Sequence, residues 1–414
     1  MFQPIGIRRA RAVALMAAVA AVAAVAAAVG CGQLLTEAPA EGDLFDAAIA
    51  GLTPGELAAF NRGDAEFGRR FAPAEGLGPI FNNVSCISCH SGDGRGRLEN
   101  ALQRIGAPDD DFLRGVGGHQ IQDRAIAGAE SERVPAGAAV SVRLPPPVFG
   151  VGLIEAIPEH AILSREDPQD LDGDGISGRA NLVLASQYVP HSEPGSGTAY
   201  RVGRFGRKAQ VSNLVEQVVE AYHQDMGVTS TFQPIENRNP LGSPAADASD
   251  RVADPEIPSS TVFAVVNYIR MLAPPHAGPE TVRRTEGRTL FGTLRCARCH
   301  TPQMLTGPSV IAALSNRPVE LYSDLLLHDM GDALADNRPD GAASGREWRT
   351  TPLWGLRLMR QFLNGDAFLM HDGRARTVEE AILLHGGEAK ASRDAFAALA
   401  GDKKAALLDF VESR

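Results

Sequence analysis

The chain has 414 residues, enough for two or three domains and a large buried core. Apolar residues make up 44% of it and charged residues 22%, with 40 basic against 50 acidic side chains and a formal balance of -10. So acidic a chain argues against nucleic acid as a partner, because phosphate contact needs the opposite sign.

The first 31 residues read as a bacterial export segment and are set aside from the fold. Arg8, Arg9 and Arg11 make a basic start, and an Ala-rich apolar stretch over 12–29 runs into Gly30-Cys31. Ala28-Val29-Gly30-Cys31 has the small residues that a lipoprotein signal peptidase needs, with Ala where Leu is commonest. The expectation is therefore a periplasmic protein acylated at Cys31 and touching the membrane only through that anchor. Cleavage nearby to a soluble periplasmic form, or an uncleaved anchor, are the alternatives. No later segment is long and apolar enough to span a bilayer. Loss of the three arginines leaves 37 basic against 50 acidic residues, a balance of -13.

Residues 32–52 read as a tether, followed by an N-terminal domain over 53–240 and a C-terminal domain over 241–414. A helix is predicted from Thr53 to Phe67, and a Gly/Pro-rich approach follows. The tract 91–160 is rich in Gly and Pro and reads as loop, with a short apolar run at 139–144. Ser212 is the predicted cap of a helix over 213–226, since Leu214, Val218, Tyr222 and Met226 recur every four residues. A connector spans 234–258. A helix over 260–272 stops at Pro274-Pro275, and another runs from 280 to 295. Thr377 and Glu380 form a predicted capping box, Val378, Ala381, Ile382 and His385 share one face of the helix that follows, and Gly386 supplies the stop. A last helix covers 402–412. The fold class is mostly α, with long loops and few short strands.

Of the five cysteines, Cys31 lies in the export box and the other four stand in two Cys-x-x-Cys-His runs, Cys86-Ile-Ser-Cys89-His90 and Cys296-Ala-Arg-Cys299-His300. Two thiols three positions apart suit the two vinyl groups on one haem edge, and the next residue is then placed at the iron, so the runs predict two covalent haem c groups with His90 and His300 as axial ligands. A redox dithiol and a four-cysteine zinc centre are the competing readings; the second leaves both histidines unexplained. His385 is the candidate sixth ligand at the second iron, with His328, His371, Met330 and Met370 as other candidates. At the first, Glu155 and Gln122 are singled out as proton handlers from a set that includes His119, Gln120, Arg124, His160 and His191. Trp348 and Trp354 flank Arg-Thr-Thr-Pro-Leu, and an indole there can relay electrons between two haems. Arg374 and Arg376 are candidates for neutralising propionates.

In Asp170-Leu-Asp172-Gly-Asp174-Gly, carboxylates at alternate positions before a glycine turn match the start of an EF-hand-type loop and predict bound Ca2+. The twelfth position is Asn181, where such loops carry Glu.

With these residues in place, the chain resembles the di-haem oxidoreductase family of peroxidase-like proteins. The resemblance runs through "GLGPIFNNVSCISCH", "QIQDRAI", "GLIEAIPE", "DGDGISGRAN", "GRFGRKA", "DMGVTS", "DLLLHDMGDALAD", "GREWRTTPLWGL" and "MHDGRARTVEEAILLHGG", nearly all of residues 60–412. More distantly the chain is similar to bacterial di-haem cytochrome c peroxidases, to the di-haem enzyme that matures tryptophan tryptophylquinone, and to rubber-cleaving oxygenases. The resemblance implies two packed cytochrome c-like domains with calcium near their interface, a reactive N-terminal haem and an electron-transfer C-terminal haem. It also places His385 at the position of the second haem's sixth ligand. It implies peroxide or oxygen as co-substrate, a small cytochrome or cupredoxin as redox partner, and a homodimer as an option. The chain lacks the Trp-Asp-Gly-Arg segment of the peroxidases, and "GLIEAIPE" is read in its place, with Glu155 as the acid. A purely electron-transferring cytochrome with two six-coordinate irons stays open as the non-enzymatic alternative.

Overall fold

Thr53 opens the first helix with both halves of a capping box: its Oγ1 accepts from the Glu56 N–H at 3.3 Å, and the Glu56 carboxylate accepts from the Thr53 N–H at 2.7 Å. Pro54 at the first helical position is preset for the turn. The computed structural model describes residues 42, 44–90, 92, 94, 96–106, 119–363, 365 and 367–414. The export segment, Cys31 and most of the tether lie outside them.

The helices of the first part are α1 (Pro54–Gly68), α2 (Cys86–Cys89), α3 (Val151–Glu155), α4 (Glu159–Leu163), α5 (Leu214–Glu220) and α6 (Pro244–Asp247). Then come α7 (Ser259–Met271), α8 (Val282–Thr293), α9 (Leu356–Phe362), α10 (Val378–Leu384), α11 (Lys390–Ala397) and α12 (Gly401–Glu412). The strands are short and pair antiparallel in twos: β1 (Ile80–Phe81) with β3 (Arg124–Ala125), β2 (Leu102–Gly106) with β4 (Ala139–Arg143), β5 (Leu182–Val183) with β6 (Arg201–Val202), β7 (Met304–Leu305) with β8 (Pro318–Val319), and β9 (Leu327–Asp329) with β10 (Glu347–Arg349). Among the described residues no helix is long and apolar enough to cross a membrane.

Two helix pairs form the frame. α1 packs on α7 at Gly63, where an added Cβ would lie 2.2 Å from the Ala264 carbonyl oxygen and 2.6 Å from Tyr268 Cβ. α8 packs on α12 at Gly287, where it would lie 2.1 Å from the Ala406 carbonyl oxygen and 2.6 Å from Phe410 Cβ. Each glycine lets two backbones touch, and four residues on each helix carries a buried phenylalanine followed by glycine: Gly63…Phe67-Gly68 and Gly287…Phe291-Gly292. The likeness of the two motifs therefore extends to the contact that fixes the helix before each one.

α7 stands after the 240/241 boundary in the sequence, yet it packs on α1, and its Val262, Val265 and Val266 sit in the larger core with Phe60 and Phe67. A smaller core gathers Phe291, Tyr322, Leu407 and Phe410 around α8 and α12. Residues 42–414 form one compact unit. Chain order and packing diverge further in a buried ion network: Arg143 of β4 pairs with Asp336 (3.2 Å) and Asp340 (2.5 Å), and Lys208 with Asp336 (2.7 Å).

Local differences from the sequence expectation have local causes. The tract 91–160 contains β2 and β4, because residues 139–143 alternate toward a buried Ser141 and Arg143. Asn213, not Ser212, caps α5, accepting from the Glu216 N–H at 2.8 Å, while Ser212 Oγ donates to the Gly195 carbonyl at 2.8 Å. After Glu220 the helix widens into a π turn, Ala221–Asp225. Thr377 caps α10 by accepting from the Glu380 N–H at 3.1 Å, but the Glu380 carboxylate accepts from Arg376, one residue before the cap. His385 ends that helix, and the left-handed residue is Gly387, not Gly386.

Candidate functional site: two cavities with matching cysteine and histidine sets

The two Cys-x-x-Cys-His runs line two different cavities. At the first, Ser85 caps the single turn α2, its Oγ accepting from the Ser88 N–H at 3.3 Å, and this turn presents Cys86 and Cys89 together. Burial, with Asp225 adding to it, pushes the Cys89 thiol up to about 12. Burial pulls His90 down to about 4 against the opposing Pro146 and Gly94 carbonyls, so its imidazole is the neutral, metal-binding form. Phe67 of α1 packs beside it with ring centroids 6.0 Å apart.

The second cavity repeats these parts. A short turn over Cys296–Arg298 follows α8, entered through Arg295 at φ 66°. Burial raises Cys296 to about 11 and lowers His300 to about 4. Phe291 packs against His300 at 6.4 Å. His300 Nδ1 donates to the Tyr322 carbonyl at 2.9 Å, and His385 Nδ1 to the Ala381 carbonyl at 2.7 Å. Each bond fixes the tautomer and reserves Nε2 for the cavity, the arrangement that orients a metal-ligating histidine.

These observations weigh against the competing readings of the cysteines. A redox dithiol needs a lowered thiol pKa, whereas burial raises Cys89, Cys296 and Cys299. A four-cysteine zinc centre needs the two pairs to converge, and they line separate cavities. Cys299 does lie in a three-donor group with Asp324 and His328. Both ring nitrogens of His328 are nevertheless taken, Nε2 by Asp324 at 2.9 Å and Nδ1 by Glu388 at 2.7 Å.

A model of the family described as "Di-haem oxidoreductase, putative peroxidase" matches residues 26–108 and 123–414. The chain belongs to this family. Among solved structures it is similar to the hydrazine synthase of Kuenenia stuttgartiensis, at 14% identity over 91% of this chain and 94% of that one, with a TM-score of 0.38. It is also similar to a MauG-like protein associated with microbial copper homeostasis, at 16% identity over 64% of this chain and 88% of that one, with a TM-score of 0.30. No curated protein matches. Two cavities, each with two cysteines and a neutral histidine, fit the two haems of a di-haem oxidoreductase.

The cavities share a wall, and Pro147, Arg207, Arg349, Thr351, Pro352 and Trp354 line both. Trp354 therefore stands between the two sites. Trp348 lines only the second; it stacks on His371 at 3.7 Å and 11°, with Lys208 Nζ 4.5 Å from its ring centre.

The cavities differ in what faces the motif histidine. The second is also lined by His328, His371 and His385; His328 is held by two carboxylates, His371 stacks on Trp348, and His385, with Nδ1 bonded to the Ala381 carbonyl, keeps Nε2 for the cavity. Among the described residues lining the first, His90 is the one histidine. The first is lined instead by Gln120, Gln217, Glu220, Tyr222, Gln224 and Asp225, most of them on α5 and its π turn. Asp225 accepts from Gln120 Nε2 at 2.6 Å, and burial raises it to about 6. The Tyr222 hydroxyl is buried with no hydrogen-bond partner.

Several residues chosen from the sequence lie elsewhere. Glu155 is buried, but Arg270 holds its carboxylate at 2.6 and 3.1 Å, and it does not line the first cavity. Gln122 turns its amide to the Gln224 carbonyl at 3.1 Å, and Arg124 is exposed on β3; neither lines the cavity. Arg374 pairs with Asp372 at 2.7 Å and lines neither cavity. In the acidic loop, Asp170 and Asp172 gather with Asp167, while Asp174 turns away to Arg295 at 2.6 Å and Arg298 at 3.2 Å. Asn181 is buried and donates to the Lys208 and Asp340 carbonyls. Arginines beside the second motif thus meet the carboxylate at the fifth position of the EF-hand-type pattern. Asp225, the acid the sequence reading missed, carries one legible signal: the four-residue apolar recurrence through Tyr222 and Met226 brackets it.

Proposed function

We propose that this di-haem oxidoreductase is an exported peroxidase-like enzyme holding two haem c groups, thioether-linked at Cys86 and Cys89 and at Cys296 and Cys299. The carrying observation is the asymmetry of the cavities: two histidines whose Nδ1 is bonded to a backbone carbonyl line the second, and one histidine and a buried acid line the first. Bound haem supplies one-electron chemistry and, where its distal face is open, binding of a small oxidant. His90 would hold the iron of the reactive site, and His300 with His385 would hold that of the electron-transfer site.

The chain's own residues supply the proton handling. Asp225 holds or accepts a proton at its carboxylate, Gln120 orients it, and the unpartnered Tyr222 hydroxyl offers a second donor in the same cavity. Trp354 is the aromatic link between the sites. Trp348 is not, because a cation over an indole disfavours loss of an electron from it. Peroxide or oxygen is the proposed oxidant, a small cytochrome or cupredoxin the proposed redox partner, and the periplasm the proposed location with lipidation at Cys31. Fatty-acid labelling that disappears in Cys31→Ala tests the anchor.

One observation favours a second reading, a purely electron-transferring cytochrome: Met226 also lines the first cavity, and a thioether there would close that iron. Electron paramagnetic resonance of the ferric protein before and after peroxide separates the two. One high-spin and one low-spin signal, with the first responding to peroxide, support the enzyme; two low-spin signals indifferent to peroxide reject it.

A further inference from the structure

Arg349 ends β10 with 9% of its surface exposed. Its Nε donates to the Gly206 carbonyl at 3.1 Å and its Nη1 to the Thr350 carbonyl at 3.5 Å. Its backbone N–H bonds the Arg207 carbonyl at 3.0 Å, so the strand is tied to the segment across the wall. Among the described residues no carboxylate is ion-paired with this guanidinium. Burying a cation without an anion is costly, and the neighbouring carbonyls offset only part of that cost. The side chain lines both cavities. Arg207 also lines both cavities, with its guanidinium donating to the Leu144 and Pro145 carbonyls, whereas Arg104, Arg143 and Arg204 line only the first cavity and Arg295 and Arg393 only the second.

We infer that Arg349 is a shared counter-cation, taking a carboxylate of the group bound in each cavity and coupling the two redox centres electrostatically. The inference rests on the two-haem reading above, since haem propionates are the carboxylates that would arrive there. A guanidinium suits the task because its five donors are spread in a planar fork, two edges of which can each meet a carboxylate. A fixed positive charge favours the reduced state of whatever centre it faces. One charge on the common wall therefore acts on both.

The test is a spectroelectrochemical titration of the holoprotein carrying Arg349→Gln, beside Arg104→Gln and Arg295→Gln. With two haems retained, Arg349→Gln is expected to lower both midpoint potentials, whereas Arg104→Gln lowers only that of the first haem and Arg295→Gln only that of the second. Arg349→Gln moving one midpoint alone, or neither, overturns the inference and leaves the proposed function standing. Should that variant not accumulate, Arg349→Met takes its place: loss of the charge lowers both midpoints together, and a change confined to one, or to neither, overturns it. A haemochrome assay finding fewer than two haems in the unsubstituted protein instead overturns the proposed function, and this inference with it.

Discussion

The two cavities begin alike and end differently. Each is entered from a helix that crosses its partner at a glycine, each places a phenylalanine beside the motif histidine, and in each burial keeps that histidine neutral. They part on the opposite face. Short helix α10 delivers His385 to the second cavity, while a π turn delivers Tyr222 and Asp225 to the first. π turns often mark functional sites, because the extra residue breaks the regular ladder and re-aims side chains. Under the proposed function, a duplicated half-site needs only a change in that segment to exchange ligation for reactivity.

Removing one cysteine pair at a time tests this contrast most severely. Cys86→Ala with Cys89→Ala is expected to abolish the spectral response to peroxide and leave the second haem's spectrum intact. Cys296→Ala with Cys299→Ala should keep that response and lose turnover with an external donor. Responses lost equally from both variants would erase the division of labour.

Next in size is Asp225→Asn, expected to slow reaction with peroxide by about 10²–10⁴-fold, the usual span for a lost acid–base group. With Asp225 raised to about 6 and acting as base, the rate rises as pH passes upward through that value, and the Asn variant flattens the profile. The same shift carries a stability sign. Protonated Asp225 favours the folded protein below its unfolded pKa, and this contribution is lost as pH rises through about 6. Glu155→Gln sharpens the assignment from the other side: it should leave the pH profile unchanged while lowering stability, because Arg270 loses one of its two carboxylate partners and keeps only Glu193.

His385→Ala should convert the second site from low to high spin in paramagnetic resonance and leave the first unchanged. An unaltered low-spin signal would move the ligand to another residue, with Met330 and Met370 of the same cavity next in line. The smallest effects are expected at the helix crossings. Gly63→Ala and Gly287→Ala should each cost about 1–3 kcal/mol by overpacking, seen as a lower midpoint of unfolding. Unequal costs would show that the two crossings are not equivalent.

Both motifs, the helix positions and the place of His385 at the end of a capped helix were legible because each depends on near neighbours in the chain: a three-residue thiol spacing, a cap before an apolar period, a helix stop. Glu155 misled for the opposite reason. It has the chemistry of an acid, but its partner Arg270 lies far along the chain on α7 and takes its carboxylate. Asp174 misled likewise, since its pattern is local and its partners, Arg295 and Arg298, belong to the second motif. Asp225 was hidden in what read as ordinary helix, where no local signal announces a π turn.

The sequence alone determined the chemistry on offer: two thiol pairs, their histidines, a helical frame and an acidic chain. Tertiary structure decided which side chains face which cavity, that α7 serves the first motif despite its place in the chain, and that Arg349 and Trp354 stand on a wall common to both. The physical reason is that donor type and local period are properties of a short segment. Burial, ion pairing and the sharing of a wall depend on which distant segments the closed core brings together.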